Sequence, residues 1–110
     1  MSEHAIQLTS DNFNELTLKG NWVIDFWAEW CMPCKMMSSI FEEAAKEFKG
    51  KVKFGKINVD EESDLAQKFE IMGIPAVIFL KNKKEVNRVI GLMQKSELID
   101  TLESIFKDRL

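Results

Sequence analysis

The period of the apolar positions changes repeatedly along this chain. Trp22 to Trp27 reads Trp-Val-Ile-Asp-Phe-Trp, an almost continuous apolar run that predicts a central strand covered on both faces. Beyond it, Met37, Ile40, Phe41, Ala44, Ala45 and Phe48 recur at steps of three and four, marking one face of a long helix that ends near Lys49-Gly50. Ser96 to Phe106 carries Leu98, Ile99, Leu102, Ile105 and Phe106 at the same spacing, an amphipathic terminal helix. Shorter segments fill the gaps. Ala5 to Leu8 reads as a strand, and Thr9-Ser10-Asp11 can cap a helix carrying Phe13, Leu16 and Leu18. Val52 to Val59 is a strand, followed by a helix capped by Ser63 that runs through Leu65, Ala66 and Phe69 and stops before Gly73-Ile74-Pro75. Ala76 to Leu80 and Glu85 to Ile90 flank the polar tract Lys81-Asn82-Lys83-Lys84, short enough to join antiparallel neighbours as a hairpin. The predicted order is β-α-β-α-β-α-β-β-α, an α/β fold with a central mixed sheet flanked by helices on both faces.

Length and charge narrow the class. A chain of 110 residues, 45% hydrophobic and 30% charged, fits one domain over residues 1–110 with a real core. The net charge is −3 and the basic residues are scattered among acids, so no nucleic-acid surface is expected and Lys83-Lys84 reads as a solvated turn. The start, Met1-Ser2-Glu3-His4, lacks a basic segment followed by a long apolar run, and no stretch nears the eighteen or so apolar residues of a spanning helix. These features predict a cytoplasmic protein without membrane contact, whose partners are proteins.

The chemistry lies in Trp30-Cys31-Met32-Pro33-Cys34-Lys35, which joins the end of the central strand to the start of the long helix. A disulfide between cysteines so close in sequence closes a tiny loop and constrains almost none of the unfolded chain, so its use lies in being made and broken. Zinc needs about four ligands, whereas the chain has two cysteines and the single distant His4, so no metal is expected and His4 receives no role.

Several separate stretches together resemble the thioredoxin family: Val23 to Cys31, Pro33-Cys34-Lys35-Met36, the strand holding Lys56, Gly73-Ile74-Pro75, and Gly91 after the last strand. The resemblance runs from about Ile6 to Phe106. It implies a thioredoxin fold, a redox-active Cys31-Cys34 dithiol at the strand-to-helix junction, no cofactor beyond that pair, and a cis peptide bond before Pro75. It also implies disulfide-containing protein substrates, a thioredoxin reductase or equivalent electron donor, and a monomeric chain.

The residues support the same chemistry. Cys31 at a helix N-terminus, where unpaired N–H groups and the helix dipole favour a thiolate and Lys35 adds positive charge, is the expected nucleophile. Pro33 suits the first turn of a helix, and Cys34, one turn in, is the resolving thiol. In the cycle so read, Cys31 attacks a substrate disulfide and Cys34 breaks the mixed disulfide. Asp25, a carboxyl inside an apolar strand, should have its pKa raised by burial. Resemblance to the family implies that it exchanges protons with Cys34 through a water; the alternative is a structural carboxylate paired with Lys56. Lys56 shares a strand face with Val52 and Phe54, from which its ammonium either reaches Asp25 or stands at the surface. Trp30, Gly73, Ile74, Pro75 and Gly91 match family positions that rim the dithiol, where exposed backbone can pair with an extended substrate segment; for Gly73 and Gly91 plain turn chemistry also applies.

Two departures from the family pattern stand out. Met32 occupies a usual glycine position between the cysteines, a lever on the redox equilibrium, and is also a candidate, with Met72 and Met93, for a soft apolar rim. Ser39 stands where a helix-kinking proline is common, predicting a straighter helix with one more backbone bond. Protein-disulfide reduction is the leading reading. A disulfide isomerase or oxidase, and a non-redox binding module on the same fold, are the alternatives.

Overall fold

The computed structural model describes residues 4–48 and 50–106; Met1, Ser2, Glu3, Lys49 and residues 107–110 lie outside it, and with them most of the N-terminal segment read above and the helix end placed at Lys49. The elements are β1 (Ile6–Gln7), α1 (Phe13–Thr17), β2 (Asn21–Trp27), α2 (Met32–Glu47), β3 (Lys53–Asn58), α3 (Ser63–Lys68), β4 (Ala76–Lys81), β5 (Lys84–Ile90) and α4 (Lys95–Phe106), in the predicted order. The five strands form one mixed sheet ordered β1-β3-β2-β4-β5. β3 runs parallel to both β1 and β2, while β4 pairs antiparallel with β2 and with β5.

Successive side chains of a strand point to opposite faces, and here each face finds its own helices. Val23, Phe54, Val77 and Phe79 pack with Met37, Phe41, Leu98, Leu102 and Phe106, which places α2 and α4 on one side. Trp22, Ile24, Phe26, Ile57 and Ile78 pack with Phe13, Leu65 and Phe69, which places α1 and α3 on the other. β2 is apolar on both faces because both are covered. Asp25, in phase with Val23, therefore projects to the α2 side of the sheet.

The β4–β5 turn is tight. Asn82 and Lys83 both adopt positive φ, 49° and 74°, the sign at both central residues that matches a two-residue hairpin to the strand twist. Asn82 also ties this turn to the loop before β2: its N–H donates to the Gly20 carbonyl and its side-chain oxygen accepts from the Gly20 N–H, each at 2.9 Å.

Local predictions failed where an element was too short to turn a full face inward. α1 has five residues, and Phe13 and Thr17, one turn apart, form its buried side; Leu16 and Leu18 are exposed. The expected cap is also rearranged, for Thr9 and Asn12 exchange bonds, Thr9 N–H to Asn12 Oδ1 at 2.8 Å and Asn12 N–H to Thr9 Oγ1 at 3.3 Å. Ser63 does not cap α3: it is the first helical residue, preceded by Glu62.

Candidate active site

β2 ends at Trp27 and α2 begins at Met32, and the four residues between them deliver Cys31 to the helix N-terminus. Cys31 has extended backbone, φ −97° and ψ 107°, and is itself the N-cap of α2. Its sulfur accepts the Cys34 N–H at 3.2 Å, taking the place that a serine or aspartate oxygen usually fills at a helix start. Pro33, within the first turn, has no N–H to leave unpaired there. The two cysteines are joined in a disulfide with their Cα atoms 5.2 Å apart. Both sulfur-bearing residues are nearly enclosed, Cys31 retaining 4% exposure and Cys34 1%. Ala28, Trp27, Val59 and Ile74 pack around the pair.

Asp25 is fully buried, and neither carboxyl oxygen has a hydrogen-bond partner. Burial disfavours the charged form and pushes its pKa from the ordinary 3.8 up to about 7, against the opposing pull of the Lys56 charge. Lys56 is the register partner of Asp25 across β2 and β3, yet the two form no ion pair. The Lys56 ammonium instead donates to Ser38 Oγ at 2.7 Å and lies 5.0 Å from the centre of the Trp27 ring. A hydrogen bond from a charged donor contributes about 1.5–3 kcal/mol and a cation over an aromatic face about 0.5–2, enough together to hold the head group on the helix side. The pairing of Asp25 with Lys56 is thus replaced by a three-part arrangement of Ser38, Lys56 and Trp27.

The rim is apolar and open. Trp30 and Met32 are each 69% exposed and Met72 is 95% exposed; the indole N–H of Trp30 donates to Asp60 Oδ2 at 2.9 Å, which fixes the ring at the surface. Trp30, Ile71, Met72, Gly73 and Ile74 line part of a cleft of about 320 Å³ beside the disulfide. The Ile74–Pro75 bond is cis, and Gly91, at φ 101°, donates its N–H to the Pro75 carbonyl at 2.8 Å. Gly91 so holds a backbone conformation that side-chain-bearing residues rarely adopt, and Gly73 and Ile74 remain half-buried at the cleft.

One expectation is corrected. Met93 is fully buried in the core against α2 and α4 and belongs to no rim; Met36, on the first turns of α2, is 58% exposed. Lys35 is exposed and forms none of the ion pairs found among the described residues. His4, given no role, bonds through its backbone N–H and its ring to Glu42 of α2. Sequence reasoning missed Ser38 and Asp60. Ser38 carried a usable signal, since it lies four residues after Cys34 and shares its helix face; nothing local marked Asp60 as the partner of Trp30.

Among the described residues no group of three or more His, Cys, Asp or Glu side chains could hold a metal ion, and no helix is long and apolar enough to cross a membrane.

Comparison with known proteins agrees with the geometry. The thioredoxin family model matches residues 4–104. The thioredoxin of Staphylococcus haemolyticus (strain JCSC1435) is 40% identical over 98 residues, covering 89% of this chain and 94% of the relative. That of Pseudomonas aeruginosa is 37% identical over 106 residues, with 94% and 98% covered, and that of Rickettsia felis is 41% identical over 98 residues, with 87% and 93% covered. A disulfide across Cys31-Met32-Pro33-Cys34 at a helix start, on this fold and with these relatives, makes the chain a thiol-disulfide oxidoreductase with protein-disulfide reductase activity. Matched by its model over nearly the whole length described here, the chain belongs to the thioredoxin family.

Proposed function

We propose that the chain reduces protein disulfides with Cys31 as nucleophile, Cys34 as resolving thiol and Asp25 as the group that takes the Cys34 proton. The observation that carries the assignment is the position of Cys31: its sulfur caps α2 and already accepts the Cys34 N–H. The same N–H and the helix dipole stabilise a Cys31 thiolate once the disulfide is open. That thiolate attacks one sulfur of a substrate disulfide, whose S–S bond breaks and releases one substrate thiolate. Cys34 then passes its proton to the Asp25 carboxylate and attacks the Cys31 sulfur, which releases the second substrate thiolate and closes the Cys31–Cys34 bond. A carboxyl that titrates at about 7 is partly ionised at neutral pH, so it can both take that proton and return it. Two electrons from a thioredoxin reductase or an equivalent donor reopen the bond, and no further cofactor enters.

The substrate surface in this reading is the apolar rim of Trp30, Met32, Met36 and Met72 together with Gly73, Ile74, Pro75 and Gly91. Apolar, open and partly made of methionine, it suits extended segments of varied sequence around a disulfide. In this reading residues 1–110 act as one monomeric domain in the cytoplasm; the two apolar clusters, one on each face of a single sheet, support the single domain.

The test is trapping. Cys34→Ser should attack substrates and stall as a mixed disulfide through Cys31, whereas Cys31→Ser should capture none. Capture by Cys31→Ser and not by Cys34→Ser would reverse the two roles.

A further inference from the structure

Ser38 is absorbed by no part of the cycle above, yet it makes a short bond to a charged group beside the buried carboxyl. It lies on α2, four residues after Cys34 and hence on the same helix face, and is half-buried. Its hydroxyl accepts a hydrogen bond from the Lys56 ammonium at 2.7 Å, and the same ammonium lies 5.0 Å from the centre of the Trp27 ring. Lys56 stands in register with Asp25, whose oxygens are buried and unpartnered. An ammonium and a carboxyl on adjacent, in-register strand positions attract each other whenever the carboxyl is ionised. Here a third residue intervenes.

We propose that Ser38 is a positioning residue: it holds the Lys56 ammonium on the α2 side and off the Asp25 carboxyl, so that the charge steadies the carboxylate from a distance without fixing it as an ion pair. Resting on the reading of Asp25 as proton acceptor, the proposal deepens that reading by naming what keeps the acceptor reversible. A carboxylate locked to an ammonium is a poor base, and one with no cation nearby stays protonated. Ser38 sets the distance between these extremes.

The surroundings leave Lys56 as the cation concerned. On the Asp25 face, β3 presents Lys56 and β4 presents Val77, its register partner. α4 turns Leu98 and Leu102 to this side of the sheet and α2 turns Met37 and Phe41 to it, while Cys31 and Cys34 at the start of α2 do not titrate while joined. Among the described residues, Lys56 is the charged group whose field opposes the effect of burial on Asp25.

The experiment is to follow the titration of the Asp25 carboxyl by carbon NMR in the oxidised protein, where the thiols cannot couple to it. In Ser38→Ala the ammonium loses its acceptor and is drawn to the buried carboxylate, so the Asp25 titration should move down by about one unit. Ser38→Thr, which keeps the hydroxyl, should restore the parental value. In Lys56→Met the titration should move up, and adding Ser38→Ala to it should have no further effect. An unmoved or raised titration in Ser38→Ala, or a Ser38→Ala effect that persists without Lys56, would overturn the proposal. Parental resolution rates in Asp25→Asn would instead remove Asp25 as proton acceptor while leaving the Ser38 effect on its titration intact, so the two failures are distinguishable.

Discussion

Asp25 and Lys56 face each other in register across the parallel strands β2 and β3 and yet are not bonded, the lysine being held by Ser38 and the carboxyl left without a partner. A buried carboxylate would normally take any available cation, because burying it uncompensated is costly. The ion pair that strand register offers is therefore not the contact that Lys56 makes.

Asp25→Asn should slow resolution of the mixed disulfide by about tenfold to a thousandfold, the range over which positioned acid-base groups act, with the initial attack by Cys31 little changed. Stopped-flow measurement of the two steps would show this. In the parent, resolution should rise with pH through about 7 as Asp25 ionises, and this rise should vanish in the variant.

The same carboxyl predicts how stability depends on pH. Between the ordinary 3.8 and about 7, the unfolded chain ionises Asp25 while the folded protein keeps its proton. The folded state thus binds more protons over this window, and the Asp25 contribution falls as pH rises through it and levels off above 7. A gap of about three units corresponds to at most about 4 kcal/mol. Asp25→Asn should therefore gain stability over the parent progressively from pH 4 to pH 8, as read by urea unfolding; a difference that stays constant with pH would show that Asp25 ionises alike in both states.

Much of this was legible in the chain because strong patterns are local. The apolar run of β2, the helical spacing of α2 and α4, and the Cys31-Met32-Pro33-Cys34 junction each declare themselves within a few residues. What was illegible depends on packing between distant segments. Leu16 and Leu18 look like core residues by type, but α1 is too short to turn them inward. Met93 looks like a loop methionine until α2 and α4 close over it. Lys56 has one acidic neighbour by strand register, and only the three-dimensional path of α2 reveals that Ser38, eighteen positions away, takes its ammonium.

Trp30→Ala removes a large exposed apolar surface that is braced by Asp60 and does not touch the bonding of the sulfurs. The expected result is a KM for protein substrates raised roughly tenfold with the reduction potential unchanged. Steady-state kinetics and a redox titration check it together. A shifted potential at constant KM would place Trp30 in the couple and not in recognition.

Gly55 tests the packing under the site. A Cβ there would lie 2.5 Å from Leu8 Cδ1 and 3.2 Å from Trp22 Cζ3, between β1 and β2 in the core. Gly55→Ala should destabilise the fold by about 1–3 kcal/mol through overpacking, seen as a lower urea midpoint.

The most direct test of the whole account is the equilibrium reduction potential of the Cys31–Cys34 couple, followed by fluorescence of Trp27 and Trp30 against a glutathione buffer. A disulfide reductase of this kind should have a potential of about −270 mV, the value typical of thioredoxin. A value near about −180 mV, typical of a disulfide isomerase, would mean that the Met32 site favours the dithiol too strongly to drive reduction, and would contradict it.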